Sequence, residues 1–161
     1  MELERLNLDI HTGDVHLGGA PVSFMSELNE VESLAVSFLR QWYHSNEERE
    51  KVTRELIVLL GYYDGYKTAK SFGDLCNWFS KKGRRPLVRH HMNCECVGLD
   101  ENYFAKLLAT ASSHQREDTM MLVIIFLPAN LAPIVSDLAC FIGLALKRLV
   151  LTKLGPDKEN A

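Results

Sequence analysis

The segment from His90 to Cys96 concentrates the residue types that bind zinc. Thiolate sulfur and imidazole nitrogen are the usual zinc donors, and a structural zinc ion takes four of them in a tetrahedron. The sulfur atoms of Cys94 and Cys96 can reach one metal if Glu95 turns, and His91 lies three residues before Cys94. The predicted ligands are therefore His90, His91, Cys94 and Cys96. Alternative fourth ligands are His114, Cys76 and water.

Two other interpretations of this segment involve no metal. It can be a loop with exposed histidines and two small thiols that pack as modest hydrophobes. It can also hold a reactive thiol, because Arg84, Arg85 and Arg89 make the neighbourhood positive, and positive charge lowers a thiol pKa. A Cys-x-Cys disulfide is strained, however, and no thioredoxin-like βαβ pattern surrounds it. The residues alone favour the metal-free loop.

A basic run precedes the segment and comprises Lys81, Lys82, Arg84 and Arg85, with Arg89 extending it. Several cations on one surface can bind phosphate groups, including those of nucleic acid. A short basic run can equally end a helix, where lysine complements the helix dipole, and solvate the following loop. The chain has 18 Lys and Arg against 21 Asp and Glu, a net charge of −3. That balance does not favour nucleic acid as the main partner.

Catalytic motifs are absent from the sequence. It contains no G-x-S-x-G elbow, P-loop, G-x-G-x-x-G after a strand, or H-E-x-x-H. Asp100 and Glu101 are adjacent carboxylates, but neighbours on a helix point about 100° apart and so do not form an obvious acid–base pair. The sequence leans against an enzyme.

The elements that must position these residues are mainly helical. Apolar residues recur three or four apart over most of the chain, which predicts a mainly α, single-domain helical bundle. Alternation over residues 6–18 predicts a short N-terminal β-hairpin. We expect one globular domain over 1–154, with helices over about 28–153 and a disordered polar tail over 155–161.

Several helix boundaries can be predicted from local chemistry. Asn29 followed by Glu32 is typical of a capping box at a helix start. The pair Asp64-Gly65 predicts a break between two helices, because glycine and aspartate favour turns. Asp100 can cap a helix that begins at Glu101.

The C-terminal third is the most apolar part of the sequence. Residues 119–127 fit a buried helix or a buried strand, and the acidic pair before them favours a helix. Residues 131–151 predict a helix that is apolar nearly all round. Such a helix is either central in its domain or partly buried by a second copy, and we expect a homodimer.

The location of the protein is also suggested by composition. The apolar run near the C-terminus is interrupted by Pro128, Pro133 and Asp137, so we expect no membrane span. No basic, then apolar, leader is found at residues 1–6, which predicts that the protein is not secreted. Four cysteines without an export signal are expected to stay reduced, and we place the protein in the cytoplasm.

The beginning of the chain resembles the start of the winged-helix output domains of response regulators. The resemblance covers about 30 residues and implies a DNA-associated regulator, although the family's recognition helix and wing hairpin are not evident. A helix-turn-helix centred on Gly61 fits poorly, because Lys67 and Lys70 occupy inward positions of its second helix. The residues that carry the winged-helix resemblance are Leu8, Asp9, Gly13, Val15, Leu17, Gly19, Pro21, Val22, Glu30 and Leu34.

Three functions follow from these patterns. The first is a non-enzymatic regulatory or protein-interaction domain, homodimeric, whose apolar C-terminal third makes the contacts. The second is a small zinc protein that uses the loop from His90 to Cys96. The third is a DNA-associated transcriptional regulator. The first leads because it requires no motif that the sequence lacks.

Overall fold

The computed structural model describes residues 21–155, and they form a mainly α bundle, as predicted. A single pair of short β-strands accompanies the helices in this part of the chain. The strands are β1 (Pro21–Phe24) and β2 (Cys96–Gly98). The helices are α1 (Glu30–His44), α2 (Asn46–Leu60), α3 (Tyr62–Lys82), α4 (Leu99–Ser112), α5 (Arg116–Phe126) and α6 (Ala132–Leu154).

The two strands pair antiparallel although they are far apart in the sequence. Ser23 lies opposite Val97 and Phe24 opposite Cys96, with an irregularity between Pro21 and Ser23. The predicted hairpin over residues 6–18 lies outside the described residues, as does the tail from residue 156 onward. The loop between α3 and β2 is therefore attached to the beginning of the described chain.

Helix α6 lies at the centre of the bundle. It packs against α1, α2, α3, α4 and α5, and many of its apolar side chains are buried, among them Val135, Ile142, Leu146 and Leu149. This central position accounts for much of the apolar sequence of α6, although Ile134 and Leu151 are exposed. Within residues 21–155, no helix is long and apolar enough to cross a membrane.

Two glycines allow neighbouring helices to approach closely. A Cβ atom on Gly143 of α6 would lie 2.6 Å from the carbonyl oxygen of Leu108 in α4. A Cβ atom on Gly65 of α3 would lie 2.5 Å from the backbone of Ile57 in α2. Because the nearest atoms belong to backbone, neither neighbour can yield as a side-chain end could.

Some helix boundaries agree with the sequence and others do not. Asn29 and Glu32 form the predicted capping box at the start of α1. The break between α2 and α3 falls at Gly61, not at Asp64-Gly65, because Gly61 has a φ of +88°, which suits glycine. Gly65 instead lies inside α3, where its missing side chain lets α2 approach.

Two further predictions concern the start of α4 and the secondary structure of α5. Helix α4 begins at Leu99, so the prediction that Asp100 caps a helix starting at Glu101 is wrong. The cause is that both carboxylates point into the preceding loop, where they accept hydrogen bonds. The helical alternative for residues 119–127 is confirmed, since α5 covers 116–126.

Candidate functional site

A buried ion pair anchors the loop between α3 and β2. Arg40 of α1 is 3% exposed and Glu101 of α4 is 0% exposed, and Arg40 Nε lies 2.7 Å from Glu101 Oε1. Arg40 also donates to the carbonyl oxygens of Cys94, at 2.7 Å, and Cys96, at 2.6 Å. A buried charge is tolerated only when it is paired and hydrogen-bonded, and both conditions hold here. The pair fixes the path of the loop.

Glu101 accepts further bonds from the loop backbone. The N–H groups of His90 and Gly98 donate to its carboxylate at 2.8 and 3.0 Å. Burial alone would raise the pKa of Glu101, but the bonds from Arg40 and the two N–H groups lower it below its ordinary value. Glu101 is therefore ionised, and its negative charge strengthens the hydrogen bonds that hold the loop.

Asp100 holds the first half of the same loop. Its two carboxylate oxygens accept bonds of 2.6 and 2.5 Å from the guanidinium of Arg85, and one of them also accepts from the N–H of Val88. Asp100 is buried, whereas the side chain of Arg85 is 59% exposed. The guanidinium is thus fixed at one edge and open to solvent at the other.

Three arginines of the predicted basic run line one cleft, which we call the arginine cleft. It has a volume of about 340 Å³, and its wall includes Arg84, Arg85, Arg89, Tyr43 and Ser80. No aspartate or glutamate is among the described residues that line it. Guanidinium groups in such a cleft present several hydrogen-bond donors and a positive charge to an anion.

Each of the other two arginines is held in place. Arg84 donates its backbone N–H to Phe126 at 3.0 Å and a side-chain N–H to Leu127 at 3.3 Å. The guanidinium of Arg89 lies 4.3 Å from the centre of the Tyr43 ring, within cation–π range. The arginines are therefore positioned before any ligand binds.

Tyr43 is a structural wall of the cleft and not an acid–base group. Its hydroxyl donates to the carbonyl oxygen of Cys76 at 2.9 Å and lies 2.9 Å from the Ser80 hydroxyl. Burial raises the pKa of Tyr43 to about 12, so the phenol stays protonated at physiological pH. Its oxygen can accept from Ser80 but carries no charge.

The lysines of the basic run lie elsewhere. Lys81 and Lys82 line a separate groove of about 690 Å³ between α3 and α6, which we call the α3–α6 groove. Trp78, Ile134 and Leu138 form its apolar floor. The structure thus divides the predicted set of cations into two surfaces of different character.

Helix α5 exposes an apolar face. Met121 is 68% exposed and Ile125 is 45% exposed, and Ile124 lies on the same helix. Ile134, in the first turn of α6, is 57% exposed. The acidic residues Glu117 and Asp118 precede this face at the start of α5.

The predicted zinc ligands are only partly assembled. His90 Nδ1 lies 3.9 Å from Cys94 Sγ, and the N–H of Cys96 donates to the same sulfur at 3.4 Å. The ring of His91 instead packs edge-on against His44, with centroids 6.4 Å apart. Within residues 21–155, no three His, Cys, Asp or Glu side chains are grouped to hold a metal ion.

The pKa values of the Cys96 and Cys76 thiols are raised above the ordinary value. The pKa of Cys96 is raised by its hydrogen bond with Cys94 and by burial, and these effects exceed the lowering by Arg40. Burial raises the pKa of Cys76 strongly. For Cys96, the direction of this shift is opposite to the one that activation by nearby arginines would produce.

Sequence reasoning missed the residues that organise this region. Arg40 was the detectable one, because it falls between Val36 and Tyr43 on the apolar side of α1. A charged residue at such a position requires a buried partner. Nothing in the sequence identified Glu101 as that partner, since the two are 61 positions apart.

Comparison with known proteins adds no relative to this description. No protein-family model matches the sequence, and no curated protein or solved structure is significantly similar to it.

Proposed function

We propose that this chain is a non-enzymatic protein-interaction domain that forms a homodimer and serves a regulatory role. The observation that carries the proposal is the exposed apolar face of α5, which includes Met121 and Ile125. Contiguous apolar surface of this kind is typical of protein contacts. All four cysteines are thiols, which supports the cytoplasmic location proposed from the sequence.

The occupant we propose for this face is a second copy of the chain. The α3–α6 groove offers an apolar floor beside Lys81 and Lys82, while the α5 face begins with Glu117 and Asp118. In a two-fold dimer each copy can place its α5 face in the groove of the other, so that each acidic pair meets a basic pair. The charges are then complementary in both contacts.

Introducing a charge into the α5 face is expected to separate the copies. We expect Met121→Lys to raise the dimer dissociation constant about tenfold or more, because the new cation would be buried beside Lys81 and Lys82 of the partner's groove. Val58→Lys is the matched control, since Val58 is 80% exposed on α2 and lies outside the proposed interface. Light scattering after size-exclusion chromatography at micromolar concentration gives the mass of each protein. A monomeric wild type, or equal masses for both variants, contradicts the proposal.

Charge reversal tests the pairing itself. Lys81→Glu/Lys82→Glu and Glu117→Lys/Asp118→Lys should each weaken self-association, because like charges then face each other. A one-to-one mixture of the two variants should restore a dimer, since both contacts become attractive again. Failure of the mixture to associate would show that these pairs do not meet.

A second candidate function, a small zinc protein, is favoured by the short distance between His90 and Cys94. Because the described residues form no complete ligand group, zinc binding would require the segment to rearrange. This function predicts about one zinc per chain in protein purified without chelator, lost in Cys94→Ser/Cys96→Ser and kept in the control Cys140→Ser. Native mass spectrometry measures all three, and a metal-free wild type excludes it.

A further inference from the structure

We propose that the arginine cleft is a binding site for a phosphate group on a small molecule. Arg84, Arg85 and Arg89 line the cleft together with Ser80 and Tyr43. The proposal does not depend on dimerisation, because the α3–α6 groove and the α5 face supply none of these five side chains.

The charge of the cleft is unbalanced in favour of an anion. Among residues 21–155, Arg85 is the one guanidinium of the three with a carboxylate partner, Asp100, which lines a smaller adjoining pocket. The bond partners of Arg84 and Arg89 are a carbonyl oxygen and an aromatic ring, which leave both positive charges in place. A phosphate dianion supplies the two negative charges that would balance them.

The donors are also held in position. Arg84 is attached to the end of α5 through Leu127, Arg85 to α4 through Asp100, and Arg89 to α1 through Tyr43. Three different helices thus fix the three guanidiniums around one space. A ligand therefore orders few side chains when it binds, which lowers the entropic cost of binding.

The size of the cleft favours a small ligand over nucleic acid. Its volume of about 340 Å³ lies at the lower end of the range for small-molecule sites. Lys81 and Lys82, which would extend the basic surface along a nucleic-acid backbone, line the α3–α6 groove instead. The Ser80 hydroxyl, which bonds to the Tyr43 hydroxyl, can turn to donate to a phosphate oxygen.

Calorimetric titration with inorganic phosphate at low ionic strength tests the site. We expect saturable binding of one phosphate per chain. Ser80→Asp should weaken it about tenfold or more, because the new carboxylate occupies the position of the anion and leaves the arginines and their partners intact. Ser80→Asn is the matched neutral control and should retain binding within about threefold, since its amide can still donate.

A second pair of variants removes the cations. Arg84→Gln/Arg89→Gln should also weaken binding about tenfold or more, whereas Arg54→Gln/Lys147→Gln removes two exposed cations from α2 and α6 and should not. Circular dichroism checks that each variant is folded. The proposal is overturned if phosphate does not saturate, if Ser80→Asp binds like Ser80→Asn, or if a short DNA duplex binds while phosphate does not.

Discussion

Replacing Glu101 with glutamine should lower the free energy of unfolding by about 3–5 kcal/mol, because it leaves the Arg40 guanidinium buried without a counter-charge. The two side chains are at most 2% exposed, so water cannot compensate. Urea unfolding followed by circular dichroism at neutral pH measures the change. Faster amide exchange at His90 and Gly98, whose N–H groups bond to Glu101, should accompany it.

An exposed ion pair provides the control. Lys70 and Asp74 are 68% and 48% exposed, and Lys70→Gln should change the free energy of unfolding by less than about 1 kcal/mol. If Glu101→Gln costs no more than Lys70→Gln, the buried pair is not what anchors the loop. Replacing both members, in Arg40→Met/Glu101→Gln, should cost less than the sum of the two single changes, because no lone charge then remains.

Glu101→Gln should also change how the free energy of unfolding depends on pH. The pKa of Glu101 in the folded chain is lowered from its ordinary 4.5. The stability that it contributes is therefore complete above about pH 4.5 and is lost as the pH falls through the lowered value. In Glu101→Gln this part of the acid destabilisation should be missing, so its free energy of unfolding should depend less on pH below 4.5 than that of the wild type.

The second large effect is expected at Gly143, where α4 and α6 approach most closely. In Gly143→Ala the added methyl would meet backbone atoms of Leu108 and Ser112 at 2.6 and 2.8 Å, so the helices must separate. Overpacking costs about 1–3 kcal/mol or more, whereas alanine in place of glycine favours a helix by about 1 kcal/mol. We expect a net loss of about 2 kcal/mol in the free energy of unfolding.

Gly73→Ala separates the cost of overpacking from the gain in helix preference. Gly73 is also inside a helix, but its added methyl would meet the end of the Trp42 side chain, which can shift. The helix preference should then offset most of the contact cost, leaving a change below about 1 kcal/mol. Urea unfolding measures the loss of unfolding free energy in each variant. Equal losses for Gly73→Ala and Gly143→Ala would show that backbone contact does not limit how closely α4 and α6 pack.

Local chemistry was enough to predict much of the fold. The capping box at Asn29, the helical nature of α5 and the long apolar α6 are confirmed because each depends on neighbouring residues or on hydrophobic periodicity. The break at Gly61 was misplaced because Asp64-Gly65 has the stronger turn composition. Only the packing of α2 on α3 explains why Gly65 is a glycine.

The candidate sites were less predictable, because they depend on contacts across the bundle. The basic run was interpreted as one patch, yet α3 ends at Lys82, so its lysines and the arginines of the following loop lie on different surfaces. Asp100 was interpreted as a helix cap and Glu101 as the first residue of the helix, since their partners Arg85 and Arg40 come from other segments. A sequence identifies such residues individually but not as pairs.

The pairing of β1 with β2 has a consequence for how the chain folds. Contacts within neighbouring helices, such as α2 with α3, are local and can form early, whereas Pro21–Phe24 must wait until Cys96–Gly98 is in place. During synthesis the first strand therefore leaves the ribosome well before its partner and stays an open edge. An unpaired strand edge can pair with another chain and cause aggregation. The short length of this strand, four residues, and its proline both limit such pairing.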